Sequence, residues 1–443
     1  MSPLRPESRR EGLVARDKRY VWHPYTPMAA YIQDTDPFVI DSAQGSRLYD
    51  ADGRSYLDGN ASWWTAVLGH GHPRIVAALA EQASRLCHTS MAGVTHEQGA
   101  LLAEELIHMA PRGLSRVFYS DDGSTAVEVA LKLAAQYWVN RGVPGRRRFV
   151  ALSGAFHGDT LGAMSVGGVE VFRRPFADLL VDCIHVPPPE GLGDRQSHAL
   201  AFAALEEVLR ADHRSIAALV LEPRVQGAAG MRMYDAEYLA RVRALTEELG
   251  VLLVVDEVFT GYGRTGPLWA WDAPTAPDLV CLGKGFTAGT LPMAATLASE
   301  EIFEAFLGAP ERAFFHGHTF CGNPLGARIA REVFAIYREE QVLERAVPKA
   351  RRIAEVFSAM AAIPGVARAR SLGMIGALDL AGDPSYLASR GKRVCLEARR
   401  LGAYLRPLGD VVYITPPINI SDVDLDELLA IVSESVRVAL ATE

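Results

Sequence analysis

The stretch "LVCLGKGFTAGTLP", residues 279–292, sets one lysine, Lys284, among small and apolar neighbours. An unpaired ammonium away from water is costly, so burial there must either shift its pKa or give it a covalent or ionic partner. Only five of the 45 basic residues are lysines, so few other candidates exist. Lys18 in "RDKR", Lys349 in "PKARR" and Lys392 in "SRGKR" sit in polar settings that read as solvated surface. Lys132 in "VEVALKLAAQYW" falls where helical spacing can turn it outward. Lys284 alone has the apolar, glycine-flanked setting that lowers an amine pKa and suits Schiff-base chemistry. The cysteines Cys87, Cys183, Cys281, Cys321 and Cys395 are scattered, odd in number and without metal-type spacing. They read as reduced thiols, not as a disulfide frame, a metal site or nucleophiles.

A second charged group precedes Lys284 by one strand. "LLVVDE" ends a buried apolar run with Asp256 and Glu257, and "DLVCLG" then delivers Lys284 at the end of its own run. Such an acid is either satisfied by loop backbone or faces a ligand. Adjacent strand ends can hold an aspartate and a lysine on opposite sides of one planar ring. That arrangement suits pyridoxal phosphate, where a lysine forms the Schiff base and an acid pairs with the pyridinium nitrogen. A phosphate needs its own cradle, and "YSDDGSTAVEVALK" places Gly123, Ser124 and Thr125 between a strand and a helix, where free N–H groups favour an anion. A plain helix cap would use the same residue types. "SGAFHGDT" puts Phe156 and His157 after another strand, either to stack on a ring or as a core aromatic beside a hydrogen-bonded histidine.

The elements that must carry these residues alternate along the chain. "RLYDADGRSYLD" reads as a hairpin about Asp-Gly, and from about residue 74 helical and strand-like runs follow each other. "SRVFYS", "RRFVALS", "CIHVP", "IAALVLEP", "VLLVVDE" and "DLVCLG" are short apolar runs separated by helices, the order of a mostly parallel sheet with ligands at its C-terminal strand ends. The expected division is an N-terminal arm with part of a small domain (1–60), a large cofactor-binding domain (61–330) and a C-terminal α+β domain (331–443). With 443 residues, 49% hydrophobic, a net charge of −8 and no apolar run of membrane-spanning length, the chain reads as a cytoplasmic protein without a nucleic-acid or membrane partner. The N-terminal stretch lacks the apolar core of a signal peptide.

"DDGSTAVEVALK", "FHGDT", "LEP", "DEVFTGYGRTG" and "LGKGF", in that order, resemble the fold-type I, class III pyridoxal-phosphate aminotransferases over nearly the whole chain. The resemblance implies an α/β transferase with a large mostly parallel-sheet domain and a small α+β domain. It implies Lys284 as the Schiff-base lysine and proton shuttle, and Asp256 on the pyridine nitrogen. Gly123 and Ser124 would then hold the phosphate, Phe156 would stack on the ring, and Thr319 in "HGHTF" would reach the phosphate of a neighbouring subunit, as in a homodimer with shared sites. Glu222 in "LEP" would lie near the cofactor in a role left open.

"VWHPYTPM", "GNASWWTAVLGHGHP" and "LRPLGDVVYITPP" resemble the biotin-pathway branch of that family, which aminates a nine-carbon keto acid with a remote carboxylate. That branch implies Arg406 on the carboxylate, since a guanidinium suits it bidentately. Tyr25, Trp63, Gly317 and Tyr413 would shape the substrate channel, and S-adenosylmethionine is favoured over lysine as amino donor. Adjacent Trp63 and Trp64 either belong to the core or wall this pocket. Arg264 in "GYGRTG" reads as a support for the loop that closes the site. General ω-amino-acid relatives commonly read "QGEGG" where this chain has "VQGAAG"; those enzymes and aminomutases of the same fold are the alternatives. Phe156, where that branch often has Tyr, and His318, where Pro typically precedes the phosphate-binding threonine, depart from the pattern.

Overall fold

The computed structural model describes residues 9–382, 385 and 388–441, so the first eight residues of the arm and the last two of the chain lie outside it. Asp52-Gly53 turns β2 (Arg47–Asp50) back onto β3 (Ser55–Asp58), with β1 (Ile40–Gln44) along the other edge of β2. Gly53 takes a φ of 81° there, a conformation that costs glycine nothing.

The central sheet contains β4 (Leu114–Ser120), β5 (Arg148–Leu152), β6 (Cys183–Val186) and β7 (Ile216–Leu221). A short hairpin of β8 (Val225–Gln226) and β9 (Arg232–Met233) follows, and then β10 (Leu252–Asp256), β11 (Leu279–Leu282) and β12 (Ala294–Ser299) complete the sheet. Its order is β4-β12-β11-β10-β7-β5-β6. β12 runs against both neighbours, and all other pairs are parallel. β7, β10 and β11 are buried along their whole length, which explains their unbroken apolar sequences: helices cover both faces. Along β10 the side chains alternate between two cores, Leu253 and Val255 on one side and Leu252 and Val254 on the other. The helix Gly123–Asn140 packs across β12, β11, β4 and β7 on the second of these faces.

Past the helix Pro324–Glu339, the strands β13 (Val366–Leu372), β14 (Ile375–Leu380) and β16 (Val411–Ile414) form an antiparallel sheet backed by the helix Val342–Met360. The short β15 (Ala403–Tyr404) leaves this unit and pairs in parallel with β3, joining the first strands of the chain to its last quarter. Lys349 corrects the sequence reading: it is 6% exposed, and burial lowers its pKa. Its neighbours in sequence are polar, but it lies three residues after Ala346 and four before Ile353 on the inner face of its helix, and helical spacing decides its fate. Lys132 and Lys392 are exposed as expected. Among the described residues no helix is long and apolar enough to cross a membrane.

Candidate active site

Parallel register brings the two strand ends together. Asp256 of β10 lies beside Cys281 of β11, and three residues further the chain turns at Lys284. Lys284 takes a left-handed φ of 45°, which costs a non-glycine residue about 1–2 kcal/mol. The turn demands glycine just before it: a Cβ on Gly283 would stand 3.2 Å from the Cα of Gly123. A Cβ on Gly123 would in turn meet Val258 Cγ1 at 2.5 Å, so the helix start, the lysine turn and the loop after β10 close on one another.

Together they wall a cavity of about 840 Å³. Lys284, Asp256, Gly123, Ser124 and Phe156 line it at the strand ends, and Tyr25, Trp63, Arg406 and Tyr413 line the remainder. Gly317 and Thr319 do not line it; the intervening His318 places Nδ1 3.6 Å from Oδ2 of Asp121, which does.

Burial lowers the Lys284 pKa, and the carboxylates of Asp256 and Glu222 pull against that shift. Its Nζ sits 4.5 Å from the Trp64 ring centroid, a cation–π contact that compensates part of the lost hydration. Asp256 is fixed on both oxygens: Oδ1 accepts from Val258 N at 2.9 Å, and Oδ2 lies 2.7 Å from His157 Nδ1. Burial opposes charge on His157, but the bond to Asp256 outweighs it and raises the His157 pKa. His157 is therefore a buried, hydrogen-bonded histidine as in the plainer sequence reading, and both it and its neighbour Phe156 line the cavity. Glu222, buried and pushed up to about 7 by desolvation, accepts from Phe156 N at 3.1 Å and from Gly227 N at 2.9 Å, tying the Phe156 loop to the turn that follows β8.

At the helix start, Asp122 caps Thr125 N at 2.9 Å while the Thr125 hydroxyl returns to the Asp122 backbone. The cap role thus falls to Asp122 and Thr125. The first-turn N–H groups of Gly123 and Ser124 have no intrahelical acceptor, and Ser124 Oγ pairs with Thr160 Oγ1 at 2.9 Å.

The tryptophan pair divides. Ala61, Ser62, Trp63 and Trp64 have φ values of 45°, 45°, 68° and 74°, a single left-handed turn. Trp64 is buried against Phe259, with ring centroids 4.5 Å apart, and its Nε1 donates to the Tyr413 hydroxyl at 3.2 Å. Trp63 stays 40% exposed, with the Arg406 guanidinium 3.8 Å above its ring and 5.9 Å from Tyr25. Tyr25 donates its hydroxyl proton to Asp159. Arg264 is 1% exposed, donates to Pro416 O at 2.7 Å, and is lowered to about 10 by burial; it holds the loop after β10 to the C-terminal unit.

Sequence reasoning missed Asn60. This buried side chain accepts from Arg406 N at 2.6 Å and donates to Tyr413 O at 3.2 Å, aligning both residues at the far wall. A polar residue directly before "ASWW", where the chain must turn, was its only signal.

Residues 29–436 match the family model described as aminotransferase class-III. The chain belongs to the class-III aminotransferases. It has their fold-type I architecture. A curated adenosylmethionine-8-amino-7-oxononanoate aminotransferase from Geobacter sulfurreducens is 40% identical over 437 residues, 95% of this chain and 96% of that protein. One of the same name from Synechococcus elongatus is 42% identical, covering 94% and 98%. Among solved structures, the Methanocaldococcus jannaschii protein of that name superposes with a TM-score of 0.92 at 34% identity, covering 96% of this chain and 98% of that one. An amine transaminase from an uncultivated Pseudomonas species, in its PLP-bound form, gives 0.88 at 32% identity over 96% and 98%. Pyridoxal 5′-phosphate fits the residues present in this class-III site: an amine whose charge is disfavoured, a fixed carboxylate at the next strand end, unpaired N–H groups at a helix start, and an aromatic ring at the wall.

Proposed function

We propose that this chain is the biotin-pathway aminotransferase that converts 8-amino-7-oxononanoate to 7,8-diaminononanoate, using pyridoxal 5′-phosphate and taking the amino group from S-adenosylmethionine. The observation that carries the reading is one cavity with Lys284 at the strand ends and the Arg406 guanidinium on the same wall as Trp63 and Tyr25. The near-full-length relatives of that name support it.

When bound, the pyridinium ring supplies an electron sink for the carbon that loses its proton. Asp256, held in place by His157 and Val258 N, would pair with the ring nitrogen. Lys284 Nζ, with its charge disfavoured, would take the proton from the amino-bearing carbon and hand it on to the cofactor's carbon. Gly123 and Ser124 hold the phosphate, Phe156 covers the ring, and Thr319 serves the phosphate of the second subunit in a cytoplasmic homodimer. Arg406 receives the remote carboxylate; among the described residues no carboxylate pairs with it, so its charge is free for substrate. Tyr25, Trp63 and Tyr413 shape the channel, with Trp63 holding the guanidinium face, and Gly317, like Thr319, serves the channel of the second subunit. Ala228 lines the cavity where ω-amino-acid enzymes have the glutamate of "QGEGG", so that loop offers no competing anion.

Both half-reactions use one site, so the kinetics are ping-pong. The test is the visible spectrum of the purified holoenzyme during addition of S-adenosylmethionine or lysine, then of 8-amino-7-oxononanoate. Bleaching by S-adenosylmethionine and recovery with the keto acid is the expected result. Bleaching by neither donor, but by a simple ω-amino acid, overturns the assignment; bleaching by lysine alone changes only the donor. Lys284→Ala is expected to abolish turnover.

A further inference from the structure

Asp121, His318 and Cys321 are not used by this chemistry. Asp121 follows β4 just before the helix Gly123–Asn140, and His318 and Cys321 flank Thr319 and Phe320 on a loop almost two hundred residues later. One ligand-type atom from each, a carboxylate oxygen, an imidazole nitrogen and Sγ, lies within 4.8 Å of the other two. His318 Nδ1 and Asp121 Oδ2 are 3.6 Å apart. Ligands at ordinary zinc distances in a tetrahedron stand roughly 3.3–3.6 Å apart, so this pair already has the spacing of a shared ion.

Two further observations point the same way. Among the described residues His318 Nδ1 and Asp121 Oδ1 are buried atoms without a hydrogen-bond partner, a cost that a bound cation removes. The His318 backbone N–H donates to Cys321 Sγ at 3.1 Å and so fixes the sulfur beside the imidazole; burial raises the thiol's pKa, so a bound ion must displace its proton. A mixed thiolate, imidazole and carboxylate set selects borderline divalent ions over magnesium or calcium, which take oxygen ligands.

We propose that Asp121, His318 and Cys321 form a binding site for a divalent ion of the zinc class, with water completing the tetrahedron. The cysteine spacing in sequence gives no hint of it, because the carboxylate arrives from a distant strand end. The ion ties the loop carrying Thr319 to the start of the helix that carries Gly123 and Ser124. Neither the site nor its test depends on the amino donor or the keto acid.

The experiment uses the holoenzyme freed of metals by a chelator and titrated with Co²⁺, whose ligand-field bands lie in the red, beyond the cofactor's absorption. One Co²⁺ per chain, displaced by Zn²⁺, is expected, with affinity reduced at least about tenfold in Cys321→Ser and in His318→Pro. A titration without a saturable band, or one that both variants retain unchanged, overturns the site. A second readout needs no substitution: Zn²⁺ should slow alkylation of Cys321, followed by peptide mass spectrometry, at least about tenfold relative to the exposed Cys87. Equal rates with and without Zn²⁺ overturn the site as well.

Discussion

Replacing Asn60 by alanine tests whether the far wall of the cavity is held as the geometry implies. The substitution leaves the backbone N–H of Arg406 without its acceptor and deletes the bond to Tyr413 O, both in a residue that is 1% exposed. One orphaned buried donor and one lost neutral hydrogen bond together cost about 2–4 kcal/mol. Unfolding entropy near 2.1 cal/mol/K per residue, over 443 residues, converts this to a melting shift of about 2–4 °C. Because Arg406 hangs from that N–H, its guanidinium loses alignment, and KM for 8-amino-7-oxononanoate should rise about tenfold, or 1.4 kcal/mol. Cofactor content should not change, since Asn60 touches neither Lys284 nor Asp256. The assay is a double-mutant cycle with Arg406→Ala, reading steady-state kinetics and thermal melts on all four proteins. In the Arg406→Ala background the kinetic effect of Asn60→Ala should vanish while the melting shift persists. An unchanged KM in the single variant, or a kinetic effect that survives without Arg406, refutes the idea that Asn60 acts through Arg406.

Arg406→Lys should recover little of the roughly 100-fold loss in kcat/KM expected for Arg406→Ala, because a point charge cannot reproduce both the bidentate contact and the stacking on Trp63; near-complete rescue in the kinetic assay contradicts the planar-fork reading. Gly283→Ala forces a Cβ to 3.2 Å from Gly123 Cα and should weaken cofactor retention at least about tenfold, measured by release on dialysis; unchanged retention shows that the two turns are not pressed together. Glu257 is buried, accepts from Trp271 N and the Thr260 hydroxyl, and is raised by desolvation to about 7. A carboxyl raised in the fold contributes stability that is present below the unfolded pKa near 4.5 and lost as pH climbs through about 7. Glu257→Gln should therefore flatten the fall in stability between pH 5 and 8 by about 2–3 kcal/mol, read from denaturant melts at both pH values.

The placement of groups at the strand ends was legible because it is local: an unbroken apolar run ending in Asp256, a second ending at Lys284, and a glycine-rich helix start each announce themselves within about ten residues. Parallel pairing of β10 and β11 then follows from burial on both faces, and it needs no distant information. The far wall was legible only as residue types. Nothing in "ASWW" tells that four residues adopt left-handed dihedrals and leave Trp64 buried beside Lys284 while Trp63 stays exposed under Arg406. Asn60 acts across 346 residues, and Lys349 is buried by helix phase against polar neighbours; both depend on tertiary packing that short-range patterns do not encode.

The pairing of β3 with β15 also sets a timetable. A ribosome adding about 5–20 residues per second needs roughly 20–70 s to travel the 346 residues from Asn60 to Arg406. The sheet that carries Asp256 and Lys284 can assemble while synthesis proceeds, but Trp63, Trp64 and the open edge of β3 wait for nearly the whole chain. The nascent protein thus brings Asp256 and Lys284 together before it can complete the wall formed with Arg406 and Tyr413, and during that interval its N-terminal aromatic segment lacks the partners that cover it.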